Sequence, residues 1–119
     1  MIKPQSIIKV ADNCGATKLM CIRVLGANKD QTASLGNVII AVVKEAIPKM
    51  TVKKAEIVRA IVVRTTANQQ LQDGTTISFQ ENAAVIINKD GTPKGTRIFG
   101  PILEEWSTPS IISIAEEVL

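Results

Sequence analysis

Apolar and polar positions alternate along this chain in short stretches separated by turn residues. Residues 6–11 carry Ile7, Ile8 and Val10 and predict a short strand. It ends at Asp12-Asn13-Cys14-Gly15, where Asn and Gly tolerate positive φ. In 18–25, Met20, Ile22 and Val24 share one face and Arg23 takes the other, the pattern of a half-buried strand. Residues 37–46 and 56–65 are rich in Val and Ile on both faces and predict well-covered strands. Residues 26–36 and 68–74 read as loops. Residues 76–79 and 83–87 flank Gln80-Glu81-Asn82 and predict a hairpin. Three glycines and Pro93 make 88–100 an irregular excursion, and only 102–106 and 113–118 predict helical turns, both short. Many short strands with helix confined to the end predict a mainly β chain, a small closed barrel with a C-terminal appendage.

Charge adds a feature to this frame. Two apolar runs, 38–43 and 57–63, enclose a connector holding Pro48, Lys49, Lys53 and Lys54, with no acid between Glu45 and Glu56. Over 44–64, six bases (Lys44, Lys49, Lys53, Lys54, Arg59, Arg64) face two acids. Two strands able to bury themselves thus carry a basic loop into solvent, which suits a partner with a phosphate backbone. For Arg59 and Arg64 the competing reading is a strand-end arginine paired with a nearby acid.

The chain has 119 residues, enough for one domain with a single modest core. It is 45% hydrophobic and 21% charged, a globular profile. Apolar runs are too short to span a membrane as helices, and the N-terminal sequence has neither a signal-peptide h-region nor a transit-peptide composition. The formal charge of +3 is unevenly spread. Residues 1–100 hold all 14 bases against seven acids, whereas 101–119 hold Glu104, Glu105, Glu116 and Glu117 and no base. The body is expected to meet nucleic acid and the acidic tail to meet protein.

Catalysis is poorly supplied. Without histidine the chain lacks the commonest general base and metal ligand, and the Ser–His and Cys–His routes to a nucleophile. Cys14 and Cys21 form no CxxC, and the ordinary reading is two small, partly buried residues; a disulfide requires their strands to face each other. Glu104-Glu105 and Glu116-Glu117 read as solvated helix faces, because adjacent residues point to different sides. No enzyme activity, cofactor or metal is expected. A small hydrolase would need a dependable base. A free single-strand-binding module would need stacking aromatics, and only Phe79, Phe99 and Trp106 are present. Recognition of folded RNA through phosphate contacts remains.

The chain resembles the universal large-subunit ribosomal protein fourteen (L-fourteen) family over nearly its full length. The resemblance rests on Met1-Ile2, Val10-Ala11-Asp12-Asn13, Gly15-Ala16, Met20-Cys21-Ile22 and Val24-Leu25-Gly26. It continues through Lys44-Glu45-Ala46-Ile47-Pro48, Val52-Lys53-Lys54, Ala60-Ile61-Val62-Val63-Arg64-Thr65, Asp73-Gly74, Phe79, Asn82 and Val85-Ile86. Gly95-Thr96-Arg97-Ile98-Phe99-Gly100-Pro101 and Glu117-Val118-Leu119 complete an ordered, specific set. It implies a small five-stranded β-barrel with a projecting β-ribbon and short C-terminal helices. It also implies a structural role in the large ribosomal subunit, binding of large-subunit rRNA, packing against neighbouring ribosomal proteins, and contact with small-subunit rRNA at an intersubunit bridge. A ribosome-silencing factor docks on the family. Matching the ribbon motif carries rRNA contact onto Lys44, Lys49, Lys53, Lys54, Arg59 and Arg64, to which Lys18, Arg23 and Lys94 are added. Matching the exposed loop makes Thr96 and Arg97 the bridge and factor surface.

Three regions depart from the family pattern. Ala27–Gly36 reads Lys29-Asp30-Gln31-Thr32 where paired bases are usual, Ala67–Gln72 carries no charge, and the tail has Glu104-Glu105-Trp106 where the family has several bases. The expectation is a ribosome whose local rRNA is reduced or whose tail is covered by an organelle-specific protein. Residues 18–23 and 93–97 look most like plastid members, so the plastid stroma is the expected location, with the bacterial cytoplasm as the alternative.

Overall fold

The computed structural model describes residues 2–25, 33, 35–48, 52–67, 69–70, 74–102 and 109–119. Five strands close into a barrel: β1 (Ile7–Val10), β2 (Ala16–Val24), β3 (Val38–Ala46), β4 (Ile57–Arg64) and β7 (Ala83–Ile87). Neighbours run antiparallel except at the seam, where β1 meets β7 in parallel through Lys9–Ala83 and Val10–Ala84. One side chain in two turns inward. In β2, however, the inward set is Leu19, Cys21 and Val24, not the expected Met20, Ile22 and Val24, because a register shift between Cys21 and Arg23 leaves Ile22 and Arg23 both exposed. Ile8, Leu19, Cys21, Ile39, Ala41, Val43, Val58, Ala60, Val62, Ala84 and Ile86 fill the interior. Mixing alanines with branched aliphatics fits the narrow bore of so small a barrel, which side chains alone must fill.

A second core lies outside the barrel wall. Ile61 and Val63 of β4 and Val85 and Ile87 of β7 point outward beneath Ile98, Ile102 and Ile111. These three come from β8 (Ile98–Ile102) and the six-residue α1 (Pro109–Ile114), which runs into β9 (Ala115–Val118). Two-sided burial explains why 56–65 is apolar on both faces. For β3 the expectation holds only in part: Val38 packs on the second core, whereas Ile40 and Val42 stay half-exposed.

Three further expectations change. Residues 76–79 and 83–87 do not form a hairpin. β6 (Thr76–Ile77) pairs instead with β5 (Gln69–Gln70), because β7 has β4 on one edge and β1 on the other. Residues 88–100 are not irregular throughout, since β8 begins at Ile98 and joins the barrel through the Phe99 N–H to the Ala11 carbonyl, 2.6 Å. The helical turn expected at 113–118 sits earlier, at Pro109–Ile114, and the following residues are strand. They pair in parallel with β8 (Ile98–Ala115, Pro101–Glu117, Ile102–Val118), a long-range ladder that overrides local helix preference. Of the turn expected at 102–106, Ile102 is the last residue of β8 and 103–106 lie outside the described residues. Among the described residues there is one short helix, and no helix is long and apolar enough to cross a membrane.

The barrel and the appendage are joined by Arg64, at the end of β4. Its Nη1 donates to the Phe99 carbonyl at 3.1 Å, and its Nη2 lies 3.9 Å from Glu81 Oε1. Gly100, with φ of 81°, leaves the space this guanidinium occupies; a Cβ there would overlap Nη1. Gly100→Ala is therefore expected to lower unfolding free energy by about 2 kcal/mol or more, from left-handed backbone strain together with the clash. In an Arg64→Ala background the additional loss should shrink to the backbone part, about 1 kcal/mol, and a double-mutant cycle by chemical denaturation measures the difference.

Both cysteines are free and buried. Burial, aided by a hydrogen bond to the Asp12 carboxylate, pushes the Cys14 thiol up to about 12. Thiolate at pH 8 is then on the order of one part in 10⁴, so labelling by an aromatic disulfide should run about 100-fold or more slower in the folded chain than in urea, followed by thionitrobenzoate release.

Candidate nucleic-acid interface

The basic connector between β3 and β4 is anchored more firmly than its composition suggests. β3 and β4 pair from Val38–Ile61 to Val42–Ile57, and the Val43 N–H and carbonyl still meet Glu56 and Ala55. Beyond that point the end of β3 still pairs with β2 through Lys18–Glu45 and Ala16–Ala46, with a register shift on either side of Lys18. The Ile47 N–H then reaches the Gly15 carbonyl at 2.7 Å and the Val52 N–H reaches Cys14 at 3.3 Å. Val52 is fully buried in the barrel core. The expected projecting ribbon is therefore narrowed: its described part lies along the barrel end, held there because a buried valine outweighs free extension.

Lys53 and Lys54 sit on a tight turn closing that segment. The Glu56 N–H donates to the Lys53 carbonyl, and the Lys53 N–H donates to Glu56 Oε2, both at 3.2 Å. Ala55 takes a φ of 70°, unusual for a residue with a Cβ, which keeps the turn sharp. The Glu56 carboxylate is thus engaged by backbone while both lysine side chains remain exposed. Lys44 is also exposed, next to Lys18, whose Nζ lies 3.8 Å from Glu45 Oε1 in a solvent-exposed pair of small energetic consequence. Lys49 lies outside the described residues.

The remaining cations divide. Arg23 pairs in register with Ile40, Ile40 with Arg59 and Arg59 with Ile87, so the two exposed arginines line up across β2 to β7. At about 4.8 Å per strand they stand about 10 Å apart. Lys94 joins them from the neighbouring loop, where its N–H meets the Ile86 carbonyl at 2.9 Å; Arg59, Lys89 and Lys94 line one groove. Between this set and Lys18, Lys44, Lys53 and Lys54 runs the row Met20–Val42–Ile57. The structure therefore brings the expected RNA ligands together as two groups, not one.

Arg64 belongs to neither. It is 8% exposed, its guanidinium is engaged as described, and burial lowers its pKa while Glu81 partly restores it. This geometry favours the competing reading of Arg64, a strand-end arginine beside a nearby acid, here joining β4 to β8.

Thr96 and Arg97 are exposed, and their loop is held from beneath. Asn13 Oδ1 accepts the N–H groups of Thr96 at 2.8 Å and Arg97 at 3.2 Å, and Nδ2 donates to Thr96 Oγ1 at 2.9 Å. A Cβ on Gly95 would come within 2.7 Å of Asn13 Oδ1. Asp12, 5% exposed, accepts the Cys14 and Ile86 N–H groups at 3.3 and 3.1 Å and so fixes the turn to β7. Burial raises the Asp12 carboxyl pKa, opposed by the bond from the Cys14 thiol and then by those two N–H bonds. Sequence reasoning treated Asp12-Asn13 as a turn; the two residues align three segments. Only the Asn-Gly turn chemistry hinted at it.

Among the described residues no three His, Cys, Asp or Glu side chains stand close enough to hold a metal ion. The surface carries exposed cations on a β scaffold, with Lys44, Lys53 and Lys54 at the barrel end. The family model described as Ribosomal protein L14p/L23e matches residues 1–119, the whole chain. Barrel, basic barrel end and full-length match agree, and the chain belongs to the ribosomal protein L14p/L23e family, structural proteins of the large ribosomal subunit.

Proposed function

We propose that this protein binds large-subunit rRNA chiefly through the barrel end bearing Lys44, Lys53 and Lys54, with Lys18 adding charge at its margin and Lys94 making a separate contact across the apolar row. Lys49 belongs to the same basic segment by sequence. The observation that carries this reading is the Lys53–Glu56 turn, in which a backbone-engaged carboxylate leaves two adjacent lysines exposed on a fixed support. Preorganised cations lose little freedom on meeting phosphates, and each contact releases counterions. Thr96 and Arg97, presented by Asn13, form the intersubunit face, touching small-subunit rRNA at a bridge and offering the dock for a ribosome-silencing factor. The ribosome concerned is that of a plastid, on the likeness of residues 18–23 and 93–97.

Reversing charge at both Lys53→Glu and Lys54→Glu should cut incorporation into large subunits about tenfold or more. For the purified chain on its rRNA segment, the slope of log affinity against log salt should become shallower by about 2. Thermal stability should stay near that of the parent, since both residues are exposed. Undiminished assembly would sink the RNA role. Arg97→Glu should leave incorporation intact yet weaken subunit joining in sucrose gradients at low magnesium; unchanged joining would remove Arg97 from the bridge.

A further inference from the structure

The C-terminal appendage covers only part of the barrel wall. Ile61, Val63, Val85 and Ile87 lie under it, but no described element covers the outer side of β1, β2 and the adjoining ends of β3 and β4. Register orders that side into rows. Ile7 pairs with Met20, Met20 with Val42 and Val42 with Ile57, so four apolar side chains cross four strands in one line. Ile7 is 55% exposed and Ile57 67%, and none of the four belongs to either core. Ile22, 42% exposed, widens the row on β2.

Cations border it on both sides. Lys9 pairs in register with Lys18, beside Lys44, on one flank; Arg23 and Arg59 enclose Ile40 on the other. Lys9 and Lys18 are ion-paired, with Glu81 and Glu45, and Glu56 adjoins Ile57. Arg23 and Arg59 have no acidic partner among the described residues.

RNA is the poorer match to this chemistry. An aliphatic row is stabilised by leaving water, about 25 cal/mol for each Å² covered, and a phosphate backbone has little apolar surface to cover it. Stacking of bases calls for aromatics, which the row lacks. The covered half of the same wall shows what does fit. There the occupant is polypeptide, with aliphatic side chains against the barrel, from a segment (101–119) that has four acids and no base.

We infer that the row Ile7–Met20–Val42–Ile57, with Arg23 and Arg59 beside it, docks a segment of another protein. That segment places aliphatic residues on the row and Asp or Glu against the arginines. The inference rests on the chain's place in the large subunit. It assigns Arg23 and Arg59 to a protein partner, whereas the sequence pattern alone had grouped them with the rRNA ligands.

The test uses full-length chain built into large subunits, carrying photoreactive benzoylphenylalanine at position 57 or, separately, at position 53. After irradiation and digestion, position 57 should join a peptide of another protein in which aliphatic residues are flanked by Asp or Glu. The yield should fall about tenfold with Arg59→Glu, which turns one attractive surface pair into a repulsive one. Position 53 should join rRNA. A position-57 product with rRNA, with a second copy of this chain, or with a peptide lacking flanking acids overturns the inference. So does the absence of product from position 57 in subunits where position 53 reacts. If position 57 behaves as expected and position 53 joins no RNA, the rRNA assignment fails and the docking face stands. A chain missing from large subunits overturns both.

Discussion

A strand buried on both faces must satisfy its backbone polar groups from its two edges, because water cannot reach them. In this protein that demand falls on β7, all five residues of which are buried. β4 supplies one edge and β1 the other, and the parallel seam with β1 turns an open sheet into a closed barrel. Much else follows. With both edges taken, Thr76–Ile77 must find another partner, and the second core needs a cover for the outward side chains of β4 and β7. β8, α1 and β9 are that cover, which is why the chain continues past its last barrel strand.

The same closure decides where charge can go. Inward positions are excluded, and the second core removes the far half of the wall. Cations are left on the near half and the barrel end, where β2 and β3 hold Lys18 and Lys44 and the Lys53–Glu56 turn carries two more. Arg64 shows the consequence at the boundary. Placed where the cover meets the barrel, it becomes a joint, with Phe99 and Glu81 as partners and Gly100 shaped around it. Its Nε is buried with no partner, a cost of order 1–3 kcal/mol that the bond from Nη1 and the proximity of Glu81 must offset.

Legibility from sequence followed the range of the interaction. The barrel strands were readable because apolar residues recur within a few positions, as from Met20 to Val24, or because a run such as Ile57 to Val63 is apolar but for Arg59. The inward face of β2 was not, since a register shift between Cys21 and Arg23 puts Leu19, Cys21 and Val24 inside and Met20 and Ile22 outside. β8 and β9 were not, since Ile98–Ile102 contains Gly100 and Pro101, and Ala115–Val118 contains Glu116-Glu117, neither a strong strand signal. They are strands because they pair with each other. Among site residues, the exposure of Lys53 and Lys54 was legible from a connector with no acid between Glu45 and Glu56. The burial of Arg64, the supporting role of Asn13 across 83 residues of sequence and the plug formed by Val52 were not.

By itself the sequence determined the mainly β class, the basic body and acidic tail, and membership of the large-subunit ribosomal family, since these depend on composition, local period and an ordered set of short motifs. Tertiary structure alone decided that Arg64 is a buried joint while Arg23 and Arg59 stay exposed, and that the cations form two groups with an apolar row between them. The reason is register. Arg23, Ile40 and Arg59 are neighbours only because β2, β3 and β4 align at those residues, and a one-residue shift would have sent each side chain to the opposite face.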